Sequence, residues 1–123
     1  MRKILIVDDS KFIRSVTRRI VEPLGFAVDE AEDGRQALAH CQAVGPPDGI
    51  LLDIVMPVMD GLEFLRAFRQ EPGSQGCVVI MCTTKNEPAE IEAAMAAGAN
   101  EYIMKPFTDD ILSDKLRQAG LLT

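Results

Sequence analysis

Three short runs constrain this chain more than any other feature of its sequence. Lys3–Val7, Gly49–Asp53 and Cys77–Cys82 are almost wholly apolar, rich in Val, Ile and Leu, and only five or six residues long. A strand with one wet face alternates apolar and polar side chains. A strand covered on both faces does not, and that is the signature of a parallel sheet flanked by helices. Two further runs, Phe26–Ala31 and Glu101–Met104, complete a set of five strand candidates.

Helical patterns fall between them. Ile13, Val16, Ile20 and Leu24 share one helical face, with Gly25 as the stop. Asp33-Gly34-Arg35-Gln36 reads as a capping box that opens a second helix reaching about Cys41, and the segment Val44–Asp48, with Gly45-Pro46-Pro47, reads as a turn. Asp60-Gly61-Leu62-Glu63 reads as another capping box, opening a third helix to about Gln70. Asn86 with Pro88 opens an alanine-rich fourth helix that ends near Gly98. Thr108-Asp109-Asp110 caps a fifth, whose buried face is Ile111 or Leu112, with Leu116 and Ala119. Strand followed by helix, five times over, predicts an α/β fold: a (βα)5 doubly wound, five-stranded parallel sheet with helices on both faces. Residues 1–123 are expected to form one domain, with no linker, repeat or second unit.

Composition narrows the function classes. The formal net charge of −6 argues against general nucleic-acid or anionic-membrane binding. With 3 cysteines, Cys41, Cys77 and Cys82, and no paired spacing, neither a disulfide framework nor a zinc site is expected. No leader and no membrane-length apolar run is seen, so a cytoplasmic protein is expected.

In such sheets, sites form beyond the carboxyl ends of the strands, where the strand order switches. The first strand ends in Asp8 and Asp9, the third in Asp53, the fourth in Thr83, and the fifth in Lys105 followed by Pro106. Three carboxylates, a hydroxyl and an ammonium thus share one rim. Clustered carboxylates oppose one another's ionisation, and a hard divalent cation such as Mg²⁺ relieves that cost through oxygen ligation. A carboxylate attacking phosphorus also needs positive charge on the equatorial oxygens, which Mg²⁺ and Lys105 would supply. The Thr83 hydroxyl can donate a hydrogen bond to a phosphoryl oxygen.

Taken together, Lys3-Ile4-Leu5-Ile6-Val7-Asp8-Asp9-Ser10, Leu52-Asp53-Ile54-Val55-Met56-Pro57-Val58-Met59-Asp60-Gly61, Thr83-Thr84 and Lys105-Pro106-Phe107 resemble the response-regulator receiver family, the CheY-like fold. The resemblance covers essentially the whole chain. It implies a flavodoxin-like strand order of 2-1-3-4-5 and a stand-alone response regulator of a two-component phosphorelay. In that role Asp53 is the phosphoacceptor, Asp8, Asp9 and Asp53 hold Mg²⁺ with the Val55 backbone carbonyl, and Thr83 and Lys105 contact the phosphoryl group. Tyr102 matches the family's rotating aromatic, so Thr83 and Tyr102 form the switch, and Lys105-Pro106 resembles the family's cis peptide. The implied phosphodonor is a histidine kinase or a histidine phosphotransfer protein. The implied output is a downstream protein bound through the face made by the fourth helix, fifth strand and fifth helix. A monomer is expected, with no nucleic-acid or membrane partner and no enzymatic turnover beyond its own phosphorylation and dephosphorylation.

Other readings meet specific obstacles. An aspartate-nucleophile phosphatase places an acid/base Asp two residues after the nucleophile, where this chain has Val55. A nucleotide or flavin binder wants a glycine-rich loop after the first strand, and Asp8-Asp9-Ser10 repels phosphate instead. An interaction module that had lost phosphorylation would not need the full acidic set with Lys105. Fast-cycling relatives tend to carry polar or acidic side chains two residues after the phosphoacceptor and two after the switch hydroxyl. Here those positions are Val55 and Lys85, which implies slow hydrolysis. Arg14 and Arg18, one turn apart, are either a solvated basic face or a docking surface for an acidic partner, and His40, the only histidine, is expected to be inert on a helix surface.

Overall fold

The computed structural model describes residues 1–84 and 87–122. Lys85, Asn86 and Thr123 lie outside the described residues, and with them the expectations placed on Asn86 as a helix opener and on Lys85 beside the phosphoryl group.

Five strands form one parallel sheet: β1 (Lys3–Val7), β2 (Ala27–Ala31), β3 (Gly49–Asp53), β4 (Val78–Thr83) and β5 (Glu101–Met104). Their spatial order is β2-β1-β3-β4-β5, as the resemblance implied. The helices are α1 (Lys11–Val21), α2 (Gly34–Val44), α3 (Gly61–Arg69), α4 (Pro88–Ala96) and α5 (Asp109–Gln118), with short 3-10 turns at Glu22–Leu24 and Ser74–Gly76.

Alternate side chains of each strand serve opposite layers. Ile4, Ile6, Leu51, Ile80, Cys82 and Ile103 pack with Ile20 and Val21 of α1 and Leu112 and Leu116 of α5. Leu5, Val7, Ile50, Leu52, Val79 and Met81 pack with α2, α3 and α4, through Ala37, Cys41, Phe64, Leu65, Phe68 and Ala94. Phe64 and Phe68 stack in that second layer with ring centroids 5.4 Å apart. Each fully buried side chain of this size contributes about 1.5–3 kcal/mol, so two filled layers hold the sheet between them. Leu112, not Ile111, is the core residue of α5: it is fully buried while Ile111 is exposed.

Several boundaries shift for local reasons. α1 stops at Val21 rather than running to Gly25, because Pro23 cannot donate into the helical ladder, and the chain tightens into the 3-10 turn before Gly25 turns at φ 101°. Cys77 stays out of β4 because its N–H bonds the Ser74 carbonyl and closes the second 3-10 turn. The Asp60–Glu63 capping box is complete. At Asp33 only half of it forms: Asp33 accepts from the Gln36 N–H at 2.8 Å, but the Gln36 side chain accepts from the Glu32 N–H instead.

Candidate functional site

β1 and β3 are neighbours in space, while the chain between them visits β2 on the far side of β1. The switch in strand order therefore lies between the carboxyl ends of β1 and β3, which carry Asp8-Asp9 and Asp53. Register completes the rim. Val7 pairs with Leu52, Asp53 with Cys82, and Thr83 with Met104, so Asp8, Asp53, Thr83 and Lys105 all emerge at one level.

The acidic group is compact. Asp8, Asp9 and Asp53 each present a carboxylate oxygen, and these lie within 4.8 Å of one another. Asp8 is buried and Asp9 exposed. Asp8 Oδ1 accepts from the Ser10 N–H at 2.9 Å, and Oδ2 accepts from Lys105 Nζ at 2.6 Å. Lys105 Nζ also stands 3.3 Å from Asp53 Oδ1. Burial pushes the Asp53 carboxyl above its ordinary range; Lys105 pulls it back only in part, and the charges of Asp8 and Asp9 act with burial. Burial works against the Lys105 ammonium too, but its hydrogen bond to Asp8 and the charge of Asp53 win and hold its pKa above the ordinary value. Three hard oxygen donors at this separation suit a small divalent cation such as Mg²⁺.

Other predicted site residues take their places around this group. Thr83 is buried at the end of β4, and its carbonyl accepts from the Lys105 N–H at 2.7 Å. The Lys105–Pro106 peptide is cis. Tyr102 is half-buried against the layer that α2, α3 and α4 cover, with Lys115 Nζ 5.4 Å from its ring centroid. Val55 lies just beyond Asp53 with its side chain exposed.

Comparisons with known proteins agree with this fold. The sequence model of the response regulator receiver domain matches residues 4–117. The chain is 39% identical over 122 residues to the chemotaxis protein CheY of Listeria monocytogenes, covering 98% of this chain and 99% of that one. It is 36% identical over 115 residues to CheY of Halobacterium salinarum, covering 94% and 93%. Among solved structures, CheY4 of Vibrio cholerae superposes with a TM-score of 0.91 at 36% identity, over 97% of this chain and 98% of that one. A CheY-like receiver domain protein of Methanospirillum hungatei does so with a TM-score of 0.84 at 33% identity, over 96% and 92%.

The chain belongs to the response-regulator receiver family.

A receiver of this type is a two-component signalling protein, and receiver domains generally bind Mg²⁺; the acidic group has the chemistry for it. Among the described residues, no helix of this receiver is long and apolar enough to cross a membrane.

One sequence expectation is corrected. Arg14 and Arg18 are not a solvated pair. Arg14 is only 8% exposed, and both arginines clasp Glu30 of β2, Arg14 Nε at 3.0 Å from Oε1 and Arg18 Nε at 2.7 Å from Oε2. His40 lies partly exposed on α2, as expected, with its Nε2 2.9 Å from Asp29 Oδ2. Glu30 is the residue near the site that the sequence pattern passes over, and Arg14 is the one it misplaces. One signal was available, because Arg14 shares a helical face with Thr17 and Val21, both buried.

Proposed function

We propose that this receiver is a stand-alone response regulator that accepts a phosphoryl group on Asp53 from a histidine kinase or a histidine phosphotransfer protein. The observation that carries this reading is the placement of Asp53 beside Lys105, Asp8 and Asp9. The Asp53 carboxylate forms the new P–O bond, the donor's P–N bond breaks, and the released imidazole takes its proton from solvent. Lys105, held between Asp8 and Asp53, faces the equatorial oxygens where charge develops. Asp8, Asp9 and Asp53, with the Val55 carbonyl, would hold Mg²⁺, which supplies further charge neutralisation when bound. Thr83 then hydrogen-bonds the phosphoryl group that Asp53 carries.

A donor must reach Asp53 from outside. A groove of about 400 Å³ opens beside it, lined by Ile13, Val16 and Thr17 of α1 and by Pro106 and Phe107. Its apolar walls next to the acidic group suit a donor helix that brings a phosphohistidine. The output reading rests on Thr83 and Tyr102. They lie on adjacent strands, on the same face of the sheet, since Met81 pairs with Tyr102 and Thr83 with Met104. Phosphate on Asp53 draws Thr83 toward it, Tyr102 turns in, and the α4–β5–α5 face changes shape. The CheY relatives match this chain over nearly their whole length, which supports a CheY-like receiver role.

The test is incubation with acetyl phosphate and Mg²⁺ followed by intact mass measurement. One phosphoryl adduct, lost in Asp53→Ala, is expected. Turnover of general phosphomonoesters, or no adduct from small donors and kinases alike, would sink the reading.

A further inference from the structure

The backbone that carries the acidic pair is gripped from a direction the phosphotransfer chemistry does not use. The Asp8 N–H donates to the Ala31 carbonyl of β2 at 3.1 Å. On the other side, Arg14 Nη1 donates to the Asp8 carbonyl at 2.7 Å in a buried contact. That carbonyl belongs to the peptide joining Asp8 to Asp9, so its direction sets where the Asp9 carboxylate stands. Arg14 is itself fixed, because its Nε is held by Glu30 Oε1, whose other oxygen is taken by Arg18. The guanidinium thus forms a rigid fork between a strand-edge carboxylate and the metal loop.

We propose that Arg14 is a positioning residue for divalent-cation binding, fixing the Asp8–Asp9 peptide so that Asp9 faces Asp8 and Asp53, with Glu30 as the residue that aims it. This rests on the reading of Asp8, Asp9 and Asp53 as the cation site. A buried arginine needs partners whatever its purpose, so a purely structural ion pair is the competing account. The two accounts predict opposite signs. On charge alone, removing a cation beside three carboxylates tightens divalent-cation binding. On positioning, it frees the peptide, disperses the ligands and weakens binding, as the loss of outer-shell partners does at metal sites.

The experiment titrates Mn²⁺ into the whole protein and reads free Mn²⁺ by electron paramagnetic resonance, with far-UV circular dichroism to confirm folding. Wild type should bind and Asp9→Asn should not; a wild type that fails to bind overturns the cation site and this inference with it. Arg14→Met, which keeps the apolar stem, should weaken binding about tenfold. Arg14→Lys keeps the charge but not the fork, and should weaken binding as well. Arg18→Met removes a similar charge from Glu30 without touching the loop, and should weaken binding far less than Arg14→Met does. If wild type binds and Arg14→Met binds equally or more tightly, or if Arg18→Met loses as much as Arg14→Met, the positioning role is wrong. Should Arg14→Met fail to fold, Glu30→Gln takes its place: weaker Mn²⁺ binding supports the role, and wild-type binding overturns it.

Discussion

Lys105 Nζ lies 2.6 Å from Asp8 Oδ2, closer than it comes to Asp53. The ammonium is therefore anchored on one carboxylate and only leans toward the other, leaving Asp53 under-compensated. Asp53 holds its proton more tightly folded than unfolded, because burial raises it, Lys105 offsets that only in part, and Asp8 and Asp9 add to the rise. The ionised form thus costs stability above the folded pKa, and the cost fades as pH falls through that value toward the unfolded one. Without divalent cations, Asp53→Asn should raise the Tm at neutral pH by a few degrees. That advantage should shrink as the pH is lowered. A scan of Tm against pH checks this, and an advantage that grows in acid contradicts it.

Gly61 sets the position of Asp53 by having no side chain. Its N–H donates to the Ile54 carbonyl at 2.9 Å, and a Cβ there would stand 2.2 Å from the Asp53 carbonyl oxygen. Nothing flexible can yield, since the obstacle is the backbone that carries Asp53. Gly61→Ala should cost about 3 kcal/mol or more, at the upper end of overpacking penalties. Urea denaturation should show a lower midpoint with an unchanged slope. A midpoint equal to that of wild type would mean that the close approach is not maintained in solution.

Val58 carries strain in the loop before α3. It sits at φ 68° with its side chain 71% exposed, and the Met59 N–H reaches back to the Pro57 carbonyl at 2.7 Å. That is a positive-φ γ-turn, a conformation that a β-branched residue adopts only against resistance. Strain of this kind costs about 1–3 kcal/mol, whereas glycine gives back only about 0.5–1 kcal/mol in chain entropy. Because Val58 buries little, Val58→Gly should stabilise the protein by about 1 kcal/mol. Thermal or chemical denaturation reads this directly, and destabilisation would show that the valine side chain is supported after all.

The sheet and the acidic rim were legible because they depend on local pattern. A run such as Gly49–Asp53 announces a doubly covered strand, and a residue at a strand's end announces the rim. What was illegible depends on register between distant segments. Nothing around Arg14 and Arg18 says that Glu30 will stand opposite them, since β2 reaches that position only by pairing with β1. The helical face of α1 was misjudged for the same reason. Ile13 and Val16 look like core, but with the buried Thr17 they line the open groove beside Phe107, while Arg14 turns inward. Gly61 reads as an ordinary residue following a cap; only the packing of α3 onto the end of β3 makes its missing Cβ matter.

If Asp53 is phosphorylated as proposed, Val55 should affect how long that state lasts. Two residues after Asp53, it is 64% exposed, so it lies outside the core. Its side chain cannot hydrogen-bond a water, so it cannot orient one toward a phosphoryl group on Asp53. Phospho-Asp53 should therefore persist, with reset left to an external phosphatase or to back-transfer. A side chain that positions water is worth about 10²–10⁴-fold when it acts as a base, and less when it only orients. Val55→Asn offers such orientation without adding charge, and should speed decay of the isolated phosphoprotein by about tenfold, below that range. Because Val55 is exposed, the substitution removes little packing and should leave the Tm near that of wild type. Decay is followed by intact mass after removal of the small donor. A Val55→Asn protein that loses its phosphoryl group at the wild-type rate, or more slowly, shows that the side chain at this position does not govern the approach of water.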